Sequence, residues 1–371
     1  MRVAILHDHL SFIGGGERTV MTLAKAIAAD VYVTDLDPGL PGRMGFPDVR
    51  VKEIAKVPDT PILRQNHQAK AFSELELSGY DAYVLSGNWA VFAAKRHTPN
   101  LWYCHTPVRV FYDLREQLLG DLSAPKRAVA RRWTAKMQRK YEGAVASVQR
   151  IVANSRNVQG RIDRYLHRKA DVVNPPVKTS RYHFERIGDF WLSVNRLSHE
   201  KRLGLQVEMF RRLPEEKLVV AGGPQVGVDA NRFVRSLRPP GNVRFLGEVD
   251  EVKLVELYAT CKGFVATSED EDFGLTPIEA MASGKAVLAV DEGGYRESVV
   301  HGETGWLLPS KPEAFADKIK SLRIGEIEAM KDGCVARAAQ FDESKFIERM
   351  SEQISVTVET SGDRRESRPQ A

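Results

Sequence analysis

Short apolar runs alternate with amphipathic helical stretches through the first half of the chain. The run at residues 2–7 is followed by apolar positions at helical spacing from Val20 to Ala28. Four further runs have the length and composition of buried strands, at residues 31–36, 81–86, 101–105 and 150–155. Because helical or loop stretches separate these runs, the pattern predicts a parallel, doubly wound sheet.

The same alternation restarts after the proline pair Pro175–Pro176, which cannot continue a helix or a central strand. Six further strands are predicted, at residues 190–197, 217–223, 243–249, 263–268, 286–290 and 305–309. The pattern therefore predicts an α/β protein with two Rossmann-like domains, residues 1–176 and 177–340. A C-terminal helix at residues 341–358 is expected to pack back on the N-terminal domain. The polar residues 359–371 lack an apolar stripe and are expected to be disordered.

The composition is typical of a soluble globular protein. The 371 residues are 43% hydrophobic, and this length and composition suffice for substantial cores. The net charge is +5. No apolar run approaches the roughly 20 residues that cross a bilayer, and the N-terminus turns polar too early for a signal peptide. The three cysteines lack close spacing, which fits a reducing compartment. We therefore expect a cytoplasmic protein.

Two polar features of the first half are candidates for a binding site. Gly14–Gly16 separate the first strand from the first helix, where backbone N–H groups can approach an anion. A turn that only reverses the chain is an equally good interpretation. His105 follows a predicted strand, at the edge where open α/β sheets form clefts, although it can also be satisfied by local hydrogen bonds. His7 and His9 end the first strand without a third ligand at recognisable spacing, so we predict no metal there.

The second half contains a cationic pair and two glutamates. Arg196 and Lys201 follow a predicted strand, where they can neutralise a diphosphate or simply belong to a solvated loop. Glu279 lies three residues after Thr276, the spacing of a capping box, in which it would only satisfy a backbone N–H. In the alternative interpretation, amides at this helix start bind phosphate. Glu271 and Glu279 then accept hydrogen bonds from sugar and ribose hydroxyls on either side.

In combination, these motifs resemble retaining glycosyltransferases of family 4, which have the GT-B fold. The resemblance covers nearly the whole ordered chain, at residues 14–18, 104–109, 151–155, 172–177, 195–201, 219–224, 244–249 and 271–279. The His-Thr-Pro-x-Arg, Asn-Ser and Pro-Pro-Val elements are most similar to mannosyltransferases. Such enzymes use GDP-mannose to extend polysaccharides or lipid-linked glycans. The resemblance thus implies a hexosyltransferase that retains the anomeric configuration.

The resemblance also implies roles for individual residues. Arg196 and Lys201 match the pair that binds the donor diphosphate, Glu279 matches the ribose ligand, and Glu271 and His105 match groups near the donor sugar. The expected catalytic residues are His105, Glu271, Arg196 and Lys201. The expected donor-binding residues are Gly15, Gly16, Arg196, Lys201, Phe273, Gly274, Leu275, Thr276 and Glu279. Arg109 and Asp113 are expected to contact the acceptor. Since cations and amides oppose the phosphate charge, neither a metal nor a cofactor is expected, only the nucleotide-sugar substrate.

Residues 126–140 contain seven Lys or Arg and no acid. With Val129, Trp133 and Met137 on an adjoining stripe, they predict a helix on an anionic membrane surface, at the inner face. A solvated helix face with core contacts is the alternative. A nucleic-acid binder is less consistent with the sequence, because aromatic residues are not interleaved with the basic ones. A GT-B nucleotide-sugar epimerase or hydrolase is a nearer alternative.

Overall fold

The computed structural model describes residues 1–120, 122–224 and 228–366. These residues divide into two compact units. The N-terminal unit comprises Met1–Pro175 with the chain from Ser344 onward, and the C-terminal unit comprises Pro176–Glu343. The division lies one residue before the boundary expected from the sequence.

The N-terminal unit is built on a seven-stranded parallel sheet. Its strands are β1 (Val3–Leu10), β2 (Asp30–Leu36), β3 (Val51–Ala55), β4 (Ala82–Ser86), β5 (Asn100–Cys104), β6 (Arg150–Ala153) and β7 (Asp171–Val172). Their order is β3-β2-β1-β4-β5-β6-β7, so the winding reverses between β1 and β4. Such a reversal is where doubly wound sheets bind ligands.

The helices of this unit are α1 (Gly15–Ala26), α2 (Leu40–Arg43), α3 (Pro61–Glu74), α4 (Arg115–Gly120), α5 (Ala124–Ala146) and α6 (Arg156–Leu166). They cover both faces of the sheet, because alternate residues of β1 enter two different cores. Ala4 and Leu6 belong to one core, and Val3 and Ile5 belong to the other. This arrangement explains why the central strands read as continuous apolar runs.

The C-terminal unit repeats the plan with six parallel strands. They are β8 (Phe190–Val194), β9 (Lys217–Ala221), β10 (Val243–Gly247), β11 (Gly263–Ala266), β12 (Val287–Val290) and β13 (Gly305–Leu308), in the order β10-β9-β8-β11-β12-β13. Its helices are α7 (Leu203–Arg211), α8 (Ala230–Leu237), α9 (Glu251–Thr260), α10 (Leu275–Ala282), α11 (Tyr295–Ser298), α12 (Pro312–Ser321), α13 (Ile324–Ala329) and α14 (Lys331–Ala338). The prediction of two doubly wound domains is confirmed.

The last helix, α15, extends over Glu343–Glu366. Phe346, Met350 and Ile354 are buried in a core of the N-terminal unit. The prediction of disorder from residue 359 is wrong for residues 359–366, while residues 367–371 lie outside the described part of the chain. The helix continues because Val358 still packs on the core and the Ser361 hydroxyl accepts a hydrogen bond from Gln149. Within the described ranges, no helix combines the length and the apolar character that crossing a bilayer requires.

Candidate functional site

The cationic pair lies beyond the end of β8, at the C-terminal edge of its sheet. Arg196 is exposed, and no hydrogen bond or ion pair holds it within the described chain. Lys201 ends a short 3-10 turn, His199–Lys201, and its Nζ lies 2.6 Å from Glu271 Oε2. The two side chains are only 16% and 20% exposed. Burial by itself would raise the pKa of the Glu271 carboxyl, but Lys201 and Arg196 hold it below its usual value.

The loop that carries Glu271 leads into α10 through a glycine. Gly274 is the N-cap residue at φ +86°, and a Cβ there would lie 2.6 Å from the Tyr295 ring. The Gly294 amide donates to the Glu271 carbonyl at 2.8 Å, which joins this loop to the start of α11. A side chain at position 294 would meet the Phe273 backbone at 2.4 Å. Close packing of this loop against the start of α11 therefore fixes Glu271 beside the N-terminus of α10.

The helix start corrects two expectations. Because α10 begins at Leu275, Thr276 lies inside its first turn, and the predicted capping box is absent: no side chain caps this end. Phe273, which we expected to bind the donor, is 2% exposed and packs against Phe341. Its side chain is a core group, and only its backbone lies in the loop. The N–H groups of Leu275 and Thr276 are among those at the helix N-terminus that attract anions.

Glu279 is held by a residue that the sequence did not indicate. The hydroxyl of Tyr258, on α9, donates to Glu279 Oε2 at 2.7 Å. Tyr258 is fully buried, and both that burial and the nearby Glu279 raise its pKa well above its ordinary value. The raised pKa favours the protonated phenol, which is the form that donates to Glu279. Tyr258 lies at a core position of α9, which is also the only signal that it gives in the sequence.

In the N-terminal unit, the structure brings the glycine run and His105 together. The helix α1 begins at Gly15, directly after the N-cap Gly14. A Cβ at Gly16 would lie 3.5 Å from the imidazole of His105, an ordinary van der Waals contact. This proximity joins two features that are about ninety residues apart in the chain. The start of α1 and His105 therefore lie side by side in the N-terminal unit.

His105 is connected to a row of buried polar groups. Its Nε2 lies 3.0 Å from the Ser86 hydroxyl, which lies 3.2 Å from Nδ1 of His7. On the other side of His7, Nε2 lies 3.7 Å from Oε1 of Glu17, whose residue is 6% exposed. Burial, reinforced by the charge on His7, lowers the pKa of His105 to about 4. Burial would lower the pKa of His7 as well, but Glu17 raises it above its ordinary value.

The other polar residues that end β1 serve the local structure. The Asp8 carboxylate accepts N–H groups from Asn88, Trp89 and Ala90 at 2.6–2.9 Å, and so caps the 3-10 turn that follows β4. His9 packs against Phe12. Over the described ranges, no group of three or more His, Cys, Asp or Glu side chains has an arrangement that could hold a metal ion.

Arg109 and Asp113, the expected acceptor residues, contact each other. The Nε and Nη2 atoms of Arg109 lie 2.9 and 2.6 Å from one carboxylate oxygen of Asp113. Their side chains are 20% and 24% exposed. They form a pair on the segment that follows His105.

The basic helix is α5, whose Lys and Arg side chains between 126 and 140 are all exposed. The apolar stripe expected beside them is largely not a surface feature. Met137 is buried, and Trp133 packs on the core and donates its indole N–H to Asn66 at 3.0 Å. Only Val129 is strongly exposed, at 62%. The face is therefore cationic and not amphipathic.

Comparisons with known proteins agree with this architecture. A family model described as Glycosyltransferase Family 4 matches residues 13–181, and one described as Glycosyl transferases group 1 matches residues 187–336. Alr3699/HepE of Anabaena, solved with UDP-glucose, superposes with a TM-score of 0.73 at 19% identity, over 95% of this chain and 99% of that one. The two parallel-sheet units therefore have the GT-B fold. The chain is similar to the family 4 glycosyltransferases along both units.

Curated relatives are mannosyltransferases by name. The alpha-1,3/1,6-mannosyltransferase ALG2 of Dictyostelium discoideum is 29% identical over 196 residues, which cover 47% of each chain. The lipopolysaccharide core biosynthesis mannosyltransferase LpcC of Rhizobium leguminosarum is 52% identical over 63 residues, 17% of each chain. The matches cover about half or less of the length of three of the first four relatives, and 60% of the length of the mouse protein.

Proposed function

We propose that the protein transfers mannose from GDP-mannose to a glycan or lipid-linked glycan during polysaccharide or glycolipid assembly, with retention of configuration. The main support is the arrangement of Arg196 and the Lys201–Glu271 pair on the edge of the sheet that also carries the N-terminus of α10. Cations and helix amides suit a diphosphate, and an ionised carboxylate suits sugar hydroxyls. The names of the curated relatives support mannose as the transferred sugar.

The proposed chemistry follows the charges that develop during transfer. As the bond between the sugar C1 and the phosphate oxygen breaks, negative charge grows on the diphosphate. Arg196, Lys201 and the first amides of α10 oppose that charge. The acceptor oxygen forms the new bond to C1 on the face of the sugar from which the phosphate leaves. The proton of the acceptor hydroxyl passes to the departing phosphate. No metal or cofactor takes part in this scheme.

Glu271 has two partners to satisfy in this scheme. Without a donor, its carboxylate neutralises Lys201 at 2.6 Å. When the diphosphate binds, Lys201 is shared with a second anion, and Glu271 can accept a hydrogen bond from the sugar. Glu279, oriented by Tyr258, accepts from the ribose in the same way. In the N-terminal unit, His105, Gly15 and Gly16 remain proposed donor-binding residues, and Arg109 and Asp113 remain proposed acceptor-binding residues.

A donor screen tests the proposal. Calorimetry with GDP-mannose, UDP-glucose and ADP-glucose, followed by mass spectrometry of the products in the presence of lipid-linked and free glycans, reads both binding and transfer. We expect GDP-mannose to bind most tightly and to yield a mannosylated product. Formation of this product should continue in the presence of EDTA. Turnover of a UDP- or ADP-sugar instead would overturn the donor assignment. Donor consumption without a glycoside would identify a hydrolase or an epimerase.

We also propose that the exposed basic face of α5 binds an anionic membrane surface, where a lipid-linked acceptor is found. Over residues 124–140 no acidic residue interrupts it, and among the residues that the structure describes only Arg131 has an acidic partner, Glu116 at 3.2 Å. Each basic residue near such a surface contributes about 1 kcal/mol to binding.

Sedimentation with vesicles that contain phosphatidylserine tests this proposal. The double variant Arg132→Glu/Lys136→Glu should lose binding, whereas the exposed control Arg235→Glu/Lys320→Glu in the C-terminal unit should retain it. Equal loss in both variants would contradict a specific face.

A further inference from the structure

We propose that Ser86 and His7 are positioning residues that fix the imidazole of His105 as the tautomer with its proton on Nδ1 and its lone pair on Nε2. The role of this tautomer in transfer rests on the proposed function. The position of the proton does not, because the contacts that set it lie within the N-terminal unit. Ser86 and His7 are not expected to touch the substrate.

The register of the central strands places these groups in a row. In the sheet, His7 on β1 is paired with Ser86 on β4, and Ser86 is paired with Tyr103 on β5. His105 follows Tyr103 by two residues, and the two rings pack edge to face at 5.1 Å. Three neighbouring strands thus deliver the imidazole, the hydroxyl and the second imidazole to one edge of the sheet. The distances of 3.2 and 3.0 Å are hydrogen bonds.

The direction of these hydrogen bonds follows from a single proton. A serine hydroxyl has one hydrogen, so Ser86 can donate to only one of the two imidazoles and must accept from the other. If His7 donates through Nδ1, then Ser86 donates to Nε2 of His105. If His7 instead presents a lone pair at Nδ1, both bonds reverse and His105 must be protonated at Nε2. A doubly protonated His7 must donate through Nδ1, so a positive charge on His7 fixes the tautomer of His105, whereas a neutral His7 permits either direction.

Glu17 favours a positive charge on His7. Its carboxylate is buried and carries its charge opposite Nε2 of His7, so this imidazole is favoured as the doubly protonated cation. Asp8, next to His7 on β1, favours the same state. His9 on β1 also approaches Glu17, at 3.8 Å, but burial and the charge on His7 keep its pKa low. A cationic His7 donates through Nδ1, and the row then runs from His7 to Ser86 to His105.

The consequence for His105 is a neutral ring with one remaining donor. With Nε2 occupied by Ser86, Nδ1–H is left over, and nothing in the described chain accepts it. A fixed neutral donor suits a sugar hydroxyl or a phosphate oxygen, and it needs no proton transfer during the reaction. Without Ser86 and His7, the ring could flip and offer a lone pair to the same ligand. The row therefore orients the imidazole in the way that carboxylates orient histidines in other sites.

The test reads the ring nitrogens directly. Long-range proton–nitrogen spectra of the full-length, histidine-labelled protein distinguish the two tautomers, and the signals of His105 are assigned by their loss in His105→Asn. We expect a protonated Nδ1 and an unprotonated Nε2. Glu17→Gln, which removes the charge that holds His7 cationic, should release this constraint, so that a fraction of His105 carries its proton on Nε2. Ser86→Ala should shift it in the same direction, and Ser86→Thr should restore the original tautomer.

A matched control separates this effect from a general loss of packing. Thr134→Val also deletes one buried hydroxyl of the same unit, which donates to the Ala130 carbonyl at 2.7 Å. It should leave the His105 signals unchanged. A wild-type ring protonated at Nε2, or the same tautomer in wild type, Glu17→Gln and Ser86→Ala, would overturn the proposal.

Transfer kinetics then test the consequence separately. Ser86→Ala should lower kcat roughly tenfold, the range of one well-placed hydrogen bond, with little change in donor affinity. A correct tautomer combined with unchanged kcat would leave the proton assignment standing and refute its role in transfer. A protein that shows no transfer with any donor would refute the proposed function, while the nitrogen spectra would still decide the tautomer.

Discussion

The two units place their polar residues in opposite environments. In the C-terminal unit, Arg196 is exposed and the Lys201–Glu271 pair is partly open to solvent. In the N-terminal unit, the side chains of His7 and Glu17 are 5% and 8% exposed, and their contacts continue to His105 through a buried hydroxyl. The first arrangement keeps charge available for a ligand. The second uses charge internally to orient a neutral group.

This difference separates the binding of charge from the positioning of a donor group. A cation that is to bind a diphosphate must not be fully neutralised, and the cost of leaving it unpaired is small only near solvent. An imidazole that is to present one particular nitrogen must be held, and hydrogen bonds hold it best where water does not compete.

The largest effect is expected at the loop that carries Glu271. Gly274→Ala places a Cβ 2.6 Å from the Tyr295 ring at a φ of +86°. Strain at positive φ costs about 1–2 kcal/mol and overpacking about 1–3 kcal/mol, so a loss of stability of about 2–5 kcal/mol is expected. Gly302→Ala is the matched control, since φ there is +83° and the space is open. Urea unfolding measures both variants, and an equal loss in the two would show that the Tyr295 contact does not constrain this loop.

The next effect distinguishes the roles of the two units. Arg196→Ala should weaken donor binding and slow transfer, because the charge is lost in the bound state and in the transition state. Loss of a charge-assisted contact of about 1.5–3 kcal/mol corresponds to a decrease of roughly 10- to 100-fold in donor affinity or transfer rate. His105→Asn should slow transfer with little change in donor affinity. Calorimetry and single-turnover assays measure both. Equal weakening of donor binding by the two variants would remove the distinction between binding and positioning.

Most of the fold and part of the site were predictable from the sequence. All eleven strands expected from apolar runs are present, and only β3 and β7 were missed. The first is a half-exposed edge strand and the second has two residues, so neither produces a clear pattern. Glu271, Glu279, Arg196 and Lys201 could be singled out because short local motifs contain them, and their roles stay predictions.

The missed features depend on distant parts of the chain. Ser86 and His7 meet His105 only through the register of three strands, which no local motif encodes. Tyr258 contacts Glu279 across the packing of α9 and α10 and reads as an ordinary core residue. The capping box was wrong because Gly274, at positive φ, starts α10 two residues earlier than the local pattern indicated. Local patterns identified the candidate residues, and tertiary packing determined the hydrogen-bond partners of their side chains.

A smaller effect is expected from Tyr258→Phe. Loss of the hydrogen bond to Glu279 leaves this carboxylate less well oriented, which should weaken nucleotide affinity by about 0.5–1.5 kcal/mol, or roughly two- to tenfold. Tyr83→Phe is the control, because it deletes a buried tyrosine hydroxyl of the N-terminal unit that donates to the Leu77 carbonyl. Both variants should melt at lower temperature. Only Tyr258→Phe should change the affinity for GDP, and an unchanged affinity would exclude Glu279 as a ribose ligand that depends on this contact.

The smallest effect is a pH dependence that belongs to the N-terminal unit. The pKa of His105 is about 4 in the folded protein and about 6.5 when unfolded, so between these values the unfolded chain binds the extra proton. The stability contribution of His105 is therefore lost as pH falls from 6.5 toward 4.

Glu271 contributes in a different range. The pKa of this carboxyl is depressed, so its contribution persists above 4.5 and is lost only below it. Urea unfolding at pH 6.5 and 5.5 thus examines His105 without Glu271. The wild type should lose about 1 kcal/mol more than His105→Asn between these two pH values, since one proton contributes at most about 1.4 kcal/mol per pH unit. Glu271→Gln should follow the wild type over the same interval. If His105→Asn also does so, the imidazole takes up its proton in the folded state, and the row from His7 to His105 does not hold it neutral.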